Sequence, residues 1–339
     1  MASSPPLSKC FASPKTREEE ESDRALCQHY REKVLSLPSV DGCAILKLHE
    51  YNGWFAPMPM LLGAMAAQKL FRAKPSDVIL ATAPKSGTTW LKSILFAVVH
   101  RDSPHYEPEK YLTTVAVHEC VPFLENHVYA NGQVPDLDLL PSPRLFSTHI
   151  PIHLLPHSVA QSGCKLVYLC REPKDAFISL WHFANAGRSN IGAEALPLDR
   201  ALDLFCSGAS VAGPFWDHVL GYWNASLERP GQVLFLRYED VMKDPAAELK
   251  RIADFVGRPF TGEEEKDGAA EGIVALCKFE NLRSLEVKKK GAAWAPGLEN
   301  SHLFRRGAVG DSVNHLTAEA ARRVDKITED KFRDTGLSF

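Results

Sequence analysis

The sequence predicts an α/β fold in which helices flank a mainly parallel central sheet, and three observations support this class. Short, almost continuously apolar runs recur along the chain, as expected for strands that are covered on both faces. Segments with helical spacing of apolar residues lie between these runs, and such alternation is typical of parallel sheets. Four polar residues, Lys85, His149, Arg171 and Tyr238, each follow closely after one of the runs. Because ligands bind beyond the carboxyl ends of parallel strands, these four residues are expected to meet at one edge of the sheet.

Composition indicates a soluble globular protein. The 339 residues are 45% hydrophobic and 24% charged, and a formal net charge of −3 does not favour a general nucleic-acid binder. No apolar stretch is long enough to span a membrane, and no secretory core is present. The eight cysteines include no CxxC pair, which fits reduced thiols in the cytoplasm. We predict a disordered tail over residues 1–24 and a single domain over residues 25–339.

The amino-terminal half is predicted to contain helices around one buried strand. The helices cover residues 23–37, 61–71 and 88–100, and the strand covers residues 77–83, between two prolines. Residues 44–60 mix aromatic residues, methionines and prolines, which predicts a short strand followed by an irregular apolar segment. Residues 102–143 are proline-rich and aperiodic, which predicts an irregular binding loop or lid.

In the carboxy-terminal half, three further strands alternate with helices. Near-continuous apolar composition predicts strands at residues 144–148, 165–170 and 233–236. Helical spacing of apolar residues predicts helices at residues 173–186, 215–227, 246–256, 271–285 and 317–333. Residues 287–316 lack periodicity and are predicted to form a loop.

The turn at residues 84–89 is suited to binding an anion. A strand that leads through a tight turn into a helix gathers backbone N–H groups at the positive end of the helix dipole. Lys85 adds a charge, and Gly87 lets the backbone approach a phosphate-sized ligand. Three hydroxyl donors follow in the same turn: Ser86, Thr88 and Thr89. The lysine lies two residues before the only glycine, so the turn is not the GxxxxGK[ST] loop of nucleoside triphosphatases. Taken alone, it could also be an ordinary strand–helix turn.

A second group of residues suits the other end of a nucleotide. Its polar members, which can contact a terminal phosphate, are Arg171, Ser179, Arg305 and Arg306. Its aromatic members, which can surround a base, are Trp90, Phe279 and Tyr238. Two separated anion sites fit a nucleotide that is phosphorylated at both ends. Plainer interpretations are a local ion pair for Arg171, a solvated basic run at residues 305–306 and core packing for Trp90.

Four segments together resemble the signature regions of the cytosolic sulfotransferases, which use 3′-phosphoadenosine 5′-phosphosulfate (PAPS) as sulfonate donor. They are PKSGTTW (84–90), YLCREPKDAFISLW (168–181), RYED (237–240) and FRRGAVGD (304–311), in the family's order and spacing. The similarity covers roughly residues 45–335, and LCKFENL (276–282), VPFLE (121–125) and AMAAQ (64–68) are similar to the plant branch. The resemblance implies the P-loop-like sulfotransferase fold and an enzyme of plant secondary metabolism.

The resemblance also implies roles for individual residues. His149, in the string STHIP, matches the catalytic base, and Lys85 matches the residue that stabilises the leaving phosphate. The residues expected to hold the phosphosulfate arm are Lys85, Ser86, Gly87, Thr88, Thr89 and Trp90. Those expected at the 3′-phosphate are Arg171, Ser179, Arg305, Arg306 and Gly307. Those expected around the adenine are Trp90, Tyr238, Cys277 and Phe279.

Two departures from the family pattern bear on this site. The family often has GDWKN after the arginine–glycine pair, whereas this chain has Gly310-Asp311-Ser312-Val313-Asn314. The missing tryptophan and lysine bear on how this loop packs over the nucleotide. The lysine also opens the dimer motif of the animal enzymes, so we expect a monomer or a weak homodimer. Cys277 stands where animal members often have threonine, which is expected to remove one contact to the base.

The predicted function is PAPS-dependent transfer of a sulfonate group to a hydroxyl of a small hydrophobic metabolite. A neutral histidine is a suitable base for that hydroxyl near pH 7, and a lysine can stabilise charge on the leaving oxygen. No metal is expected, because the sequence offers no clustered carboxylates for Mg²⁺. Family acceptors include flavonoids, steroid-like hormones and hydroxyjasmonates. Candidate pocket residues are Trp54, Phe55, Phe123, Phe183 and Trp294.

Two other functions are open at this stage. A kinase-like phosphotransferase is disfavoured because both the GxxxxGK[ST] loop and the metal-binding carboxylates are missing. A catalytically inactive nucleotide-binding protein on the same fold is disfavoured because Lys85 and His149 are both present. A fold alone does not establish a function, so this second alternative needs an activity measurement.

Overall fold

Strand pairing organises the fold around a parallel sheet. The computed structural model describes residues 6–11, 15–103, 107–130, 133–286 and 298–339. Its strands are β1 (Ser39–Val40), β2 (Leu48–Tyr51), β3 (Trp54–Pro57), β4 (Val78–Thr82), β5 (Leu145–Thr148), β6 (Lys165–Cys170) and β7 (Val233–Arg237). Strand β4 pairs with β5 and with β6, and β6 pairs with β7, all in parallel. The resulting order β5-β4-β6-β7 confirms the predicted α/β class with a mainly parallel sheet.

The helices, numbered along the chain, surround this sheet. They are α1 (Pro6–Phe11), α2 (Arg17–Leu35), α3 (Met58–Leu70), α4 (Thr88–His100), α5 (Pro108–Thr114), α6 (Val117–Cys120), α7 (His157–Ser162), α8 (Pro173–Asn190), α9 (Leu198–Cys206), α10 (Phe215–Glu228), α11 (Tyr238–Lys243), α12 (Pro245–Phe255), α13 (Gly262–Lys266), α14 (Ala269–Leu276), α15 (Phe279–Glu286) and α16 (Ala318–Phe332). The predicted helix at 271–285 is in fact two helices, α14 and α15. Across the described ranges, no helix combines the length and the apolar composition that a membrane span requires.

Both faces of the sheet are covered, which explains the apolar composition of its strands. Successive residues of a strand point to opposite faces. Val78 and Leu80 pack into one core cluster with helix α4, whereas Ile79 and Ala81 pack into clusters on the other face. All five residues of β4 are buried. The ends of the strands are therefore where polar side chains can reach solvent or a ligand.

The amino-terminal residues are more ordered than predicted. Helix α2 begins at Arg17, so residues 17–24, which were expected to lie in a disordered tail, are helical. A capping box explains the start: Thr16 accepts a hydrogen bond from the backbone of Glu19, whose side chain accepts one from the backbone of Thr16. In α1, Leu7 and Cys10 are buried against the core.

Residues 44–60 form a hairpin and a helix start rather than a strand with an irregular extension. Strands β2 and β3 pair antiparallel, and Tyr51 lies opposite Trp54. The two residues between them, Asn52 and Gly53, have φ values of 50° and 78°. An Asn-Gly pair favours this left-handed two-residue turn, so the sequence contained a hairpin signal that was overlooked. Helix α3 follows directly, with Pro59 in its first turn.

The segment predicted as an irregular lid, residues 102–143, contains helices α5 and α6 and a π-helical turn, Leu124–Val128. Helix α3 packs closely on the π-helical turn. A Cβ atom added at Gly63 would lie 1.8 Å from the carbonyl oxygen of Glu125, which only a glycine avoids. The close approach fixes the position of Glu125, whose side chain is fully buried.

We expect Gly63→Ala to lower the free energy of unfolding by roughly 3 kcal/mol or more, because two backbones would have to separate. Helix propensity alone would act the other way, by ~1 kcal/mol. Urea unfolding followed by circular dichroism measures the difference. The matched control is Gly272→Ala in α14, where an added Cβ meets no atom within 4 Å, and its stability should hold or rise. A Gly63→Ala variant as stable as the wild type would contradict the close approach.

Candidate active site

The turn between β4 and α4 has an unusual backbone at two positions. Lys85 has φ of 67° and Gly87 has φ of 103°, both in the left-handed region. A Cβ atom at Gly87 would lie 2.8 Å from the ring of Tyr238, so a glycine is required there. The first N–H groups of α4 have no partner within the helix, as at any helix start. The turn therefore presents backbone donors and the Lys85 side chain together.

Lys85 lies in a cationic environment. Its Nζ atom is 4.2 Å from the ring centroid of Phe183. Burial, together with the nearby cations of Arg171 and Arg305, lowers the pKa of Lys85 to about 7. An anion bound among these groups would offset the repulsion between the cations and raise the pKa of Lys85 again.

His149 follows β5 and is buried as a neutral imidazole. Its Nδ1–H donates to the backbone carbonyl of Thr82 over 2.7 Å, which leaves Nε2 as an unprotonated acceptor. Burial is the main cause that lowers the pKa of His149 to about 3, with further contributions from Lys92 and Lys85. The side chain lines the main cavity, so an acceptor nitrogen is available at its wall.

Two residues from other segments, Glu125 and His218, hold the loop that carries His149. The carboxylate of Glu125 accepts from the backbone N–H of His149 at 2.8 Å and from the hydroxyl of Thr148 at 3.0 Å. Burial raises the pKa of Glu125 to about 7 against the opposing effect of these bonds. From the other side, His218 Nε2–H donates to the carbonyl of His149 at 3.1 Å. The backbone of His149 is thus bonded on both sides.

Arg171 connects β6 to the loop around residue 310. Its guanidinium donates to the carbonyl of Ala308 at 2.7 Å and lies 4.7 Å from the ring centroid of Tyr238. Asp175, one turn further along, accepts from the backbone N–H of Gly310 at 2.6 Å and of Ser312 at 2.8 Å. The loop that departs from the family pattern is therefore held to α8 through its main chain.

Arg305 and Arg306 both donate to the carboxylate of Asp311, which also accepts from Asn314 at 3.0 Å. Burial would raise the pKa of Asp311, but these donors outweigh it and hold the pKa well below its usual range. At Gly307, with φ of 65°, an added Cβ would lie 2.4 Å from the ring of Phe279. A glycine is therefore needed for the ring to pack here.

Buried donor atoms beside these groups lack partners. Ser86 Oγ, Arg171 Nε and Arg305 Nε have no hydrogen-bond partner among the described residues. An unsatisfied buried donor costs ~1–3 kcal/mol. Both arginines line the cavity, so a ligand rich in acceptor oxygens could satisfy them.

A cavity of about 470 Å³ joins most of the predicted site residues. Those that line it are Lys85, Gly87, Thr88, Thr89, Trp90, His149, Arg171, Ser179, Tyr238, Phe279, Arg305, Arg306 and Gly307. Of the predicted acceptor-pocket residues, Phe123 and Phe183 line it as well. The structure therefore brings residues from four strand ends and a distant loop to one wall.

Several predicted residues do not reach this cavity. Trp54 is 1% exposed and packs in the core with the hairpin, and Phe55 packs against the same core. Cys277 is fully buried in the core cluster beside α4, and burial raises the pKa of its thiol to about 12. Ser86 is buried behind the turn. Trp294 lies outside the described residues.

Sequence reasoning gave no site role to several residues that line the cavity, among them His118, Val211, Leu303 and Phe304. His118 lies three residues before the VPFLE segment, which was the available signal for it. The apolar residues gave no distinguishing signal, because a pocket wall and a core position have the same composition.

Comparison with known proteins identifies one family over most of the chain. A family model described as a sulfotransferase domain matches residues 75–336. Cytosolic sulfotransferase 15 of Arabidopsis thaliana is 44% identical over 322 residues, which cover 94% of this chain and 89% of the relative. Cytosolic sulfotransferase 14 of the same plant is 43% identical over 331 residues, covering 95% and 94%.

Solved structures agree with the sequence comparisons. A candidate steroid sulphotransferase from Arabidopsis thaliana superposes with a TM-score of 0.71 at 36% identity, covering 97% of this chain and 99% of the other. A mouse sulfotransferase complexed with PAP has a TM-score of 0.65 at 26% identity, covering 85% and 96%. The chain therefore belongs to the sulfotransferase family of enzymes.

Proposed function

We propose that the protein transfers a sulfonate group from PAPS to a hydroxyl of a small hydrophobic metabolite. The observation that carries this proposal is a single cavity lined by Lys85, His149 and a group of arginines, with unsatisfied buried donors beside it. PAPS supplies the activated sulfonate group. The mouse relative at 26% identity was solved with PAP, the nucleotide 3′-phosphoadenosine 5′-phosphate that remains after transfer, which supports this choice of donor.

The two ends of the nucleotide would be held by different groups. The 5′ end suits Lys85 and the backbone donors at the start of α4. The 3′-phosphate suits Arg171, Arg305 and Arg306, because planar guanidinium groups bind phosphate oxygens in pairs. Trp90, Tyr238 and Phe279 line the same cavity and offer aromatic surfaces for the adenine.

The residues suggest a mechanism in which His149 Nε2 accepts the proton of the acceptor hydroxyl. The Nδ1–H bond to Thr82 fixes the ring so that this nitrogen keeps its lone pair. Lys85 stabilises the negative charge that grows on the leaving phosphate oxygen. The phosphates themselves bring negative charge beside Lys85, which raises the pKa of both Lys85 and His149 from the low values of the free protein.

An apolar acceptor is supported by the aromatic part of the cavity wall. Phe123 and Phe183 lie on this wall, with Val211 beside them. A flavonoid, a steroid-like hormone and a hydroxyjasmonate are each compatible with such a surface. We further propose a cytoplasmic enzyme, in line with the names of its relatives, with one catalytic domain and no more than weak dimerisation. An inactive nucleotide-binding protein remains the second candidate, and it is tested by the first prediction below.

His149→Asn should reduce kcat for sulfonate transfer by about a hundredfold to ten-thousandfold, because asparagine can keep the bond to Thr82 but lacks the basic Nε2. Binding of PAP should change little. Transfer of radiolabelled sulfonate from PAPS and calorimetric titration with PAP measure the two effects. The control is His157→Asn, at an exposed position of α7, which should leave both unchanged. A parallel loss of PAP binding would contradict the assignment, and an inactive wild type would favour the second candidate.

Arg306→Ala should weaken the binding of PAP by about tenfold to a hundredfold, as expected for loss of a charge-assisted bond to a phosphate. Adenosine 5′-phosphate, which lacks the 3′-phosphate, should lose little affinity. Calorimetric titration of both nucleotides gives the comparison, and Arg323→Ala on the exposed face of α16 serves as the control. Equal losses for both nucleotides would contradict the two-site arrangement.

The affinity for PAP should fall as pH rises above about 7. Burial and neighbouring arginines hold the pKa of Lys85 at about 7 in the free protein, so above that pH the side chain must take up a proton to pair with phosphate. Phosphate groups are already ionised there, because their second pKa is about 6. Above about pH 7, the affinity for PAP should fall by up to tenfold per pH unit. Calorimetric titration with PAP from about pH 6 to about pH 9 measures this slope. Lys85→Met should bind PAP weakly and without this slope; a slope that persists in the variant would contradict the assignment.

A further inference from the structure

A second histidine in the cavity has no part in the mechanism described above. His118 lies in the short helix α6, is 7% exposed, and belongs to the cavity wall together with His149 and Phe123. Its Nε2 atom is buried and has no hydrogen-bond partner among the described residues. A buried polar nitrogen without a protein partner needs a partner from elsewhere, and a molecule in the adjoining cavity can supply one.

Lys92 determines which ring nitrogen of His118 carries the proton. The fully buried Lys92 places Nζ 2.9 Å from His118 Nδ1 and 3.4 Å from the ring centroid of Phe123. An ammonium group has donors and no acceptor, so Nδ1 must accept and the ring proton lies on Nε2. Burial and the Lys92 cation hold the pKa of His118 well below its ordinary value, so the ring stays neutral. His118 therefore carries an unpaired, buried Nε2–H donor, and the residue is part of the cavity wall.

The two histidines of the cavity consequently have opposite tautomers. His149 donates through Nδ1 and accepts through Nε2, whereas His118 accepts through Nδ1 and donates through Nε2. Both rings pack against Phe123, with centroid separations of 5.5 Å for His118 and 4.6 Å for His149. The two imidazoles therefore cannot be farther apart than these two distances together. One small molecule can reach both.

We propose that His118 is a specificity-determining residue whose Nε2–H binds a carbonyl-type oxygen of the acceptor molecule while its reacting hydroxyl faces His149. This inference rests on the proposed sulfotransferase function. A ketone or carboxylate oxygen only accepts hydrogen bonds, so it satisfies the donor without needing a partner for a proton of its own. The neighbouring wall is the ring of Phe123, which offers no such partner. The Lys92 cation behind the imidazole strengthens the donor toward an oxygen that carries negative charge.

Matched acceptor pairs test this assignment. One pair is para-(hydroxymethyl)acetophenone and para-ethylbenzyl alcohol, and the other is androsterone and its analogue without the ketone. In each pair the reacting hydroxyl is the same and only the second oxygen differs. Wild-type enzyme should favour the ketone by about tenfold or more in kcat/KM, since a site built around a donor rejects analogues that leave it unpaired. The salt of para-(hydroxymethyl)benzoic acid separates a carboxylate preference from a ketone preference. For compounds that are not turned over, inhibition of transfer to a reactive acceptor is measured instead. The ratio of the two inhibition constants then gives the preference within the pair.

Two substitutions distinguish the roles of the two ring nitrogens of His118. His118→Asn keeps an acceptor for Lys92 near the position of Nδ1 but removes the Nε2–H donor, so the ketone-to-control ratio of kcat/KM should fall to nearly one. His118→Gln keeps an N–H near the position of Nε2 and should retain part of the preference. The ratio within a pair does not depend on how much enzyme is folded, so a purely structural effect would leave it unchanged.

Each outcome has a separate meaning. A wild-type enzyme that treats both members of each pair equally overturns the role of His118 while leaving sulfonate transfer intact. Equal losses for both members in His118→Asn, with the ratio unchanged, would also overturn it, because His118 would then act on the transferred group or on the fold. A wild-type enzyme that transfers sulfonate to no hydroxyl compound, although it binds PAP, would instead overturn the proposed function.

Discussion

The parallel pairing of β4 with β5 and β6 is the constraint on which the site depends. In this register Ala81 lies opposite Thr148 and Thr82 lies opposite Leu169, so the three strands end at nearly the same level. The residues that follow, including Lys85, His149 and Arg171, are thereby brought to one edge although they are far apart in the chain. A one-residue slip would turn the buried side chains of a strand to the opposite face. The apolar burial that stabilises the sheet thus also sets the positions of the polar groups beyond it.

Two aspartates, Asp175 and Asp311, organise the cationic cavity without lining it. Lys85, Arg171 and Arg305 lie close enough for the arginines to lower the pKa of Lys85, and such a cluster opposes folding unless it is compensated. Asp311 pairs with both arginines of the loop at residues 305–306, and Asp175 accepts from Arg171 and from the backbone of the loop. The cations that we propose as ligands of the nucleotide phosphates are therefore already held in place in the free protein, which would reduce the entropy lost on binding.

The departure of this chain from the family's GDWKN string is compatible with the observed loop. Ser312 contributes its backbone N–H to Asp175, and any residue except proline could do so. The side chain of Val313, the next position, is 79% exposed and so contributes little to packing. Asp311, which the chain shares with that string, makes the contacts to the arginines. The main chain and one aspartate therefore hold the loop, and the two exchanged side chains do not.

The sequence by itself determined the fold class, the central strand and helix with the turn between them, and the family, because each depends on residues that are close together within short segments of the chain. It misjudged the hairpin at Asn52-Gly53, where a local turn signal was overlooked. Only the tertiary structure decided which aromatic residues border the cavity: Trp54 and Phe123 are both buried aromatics, and long-range packing sends one to the core and the other to the wall. The tautomer of His149 could not be predicted from the sequence either, because Thr82, whose carbonyl sets it, is 67 positions away in the chain. Hydrogen bonds between distant segments exist only once the sheet has aligned them.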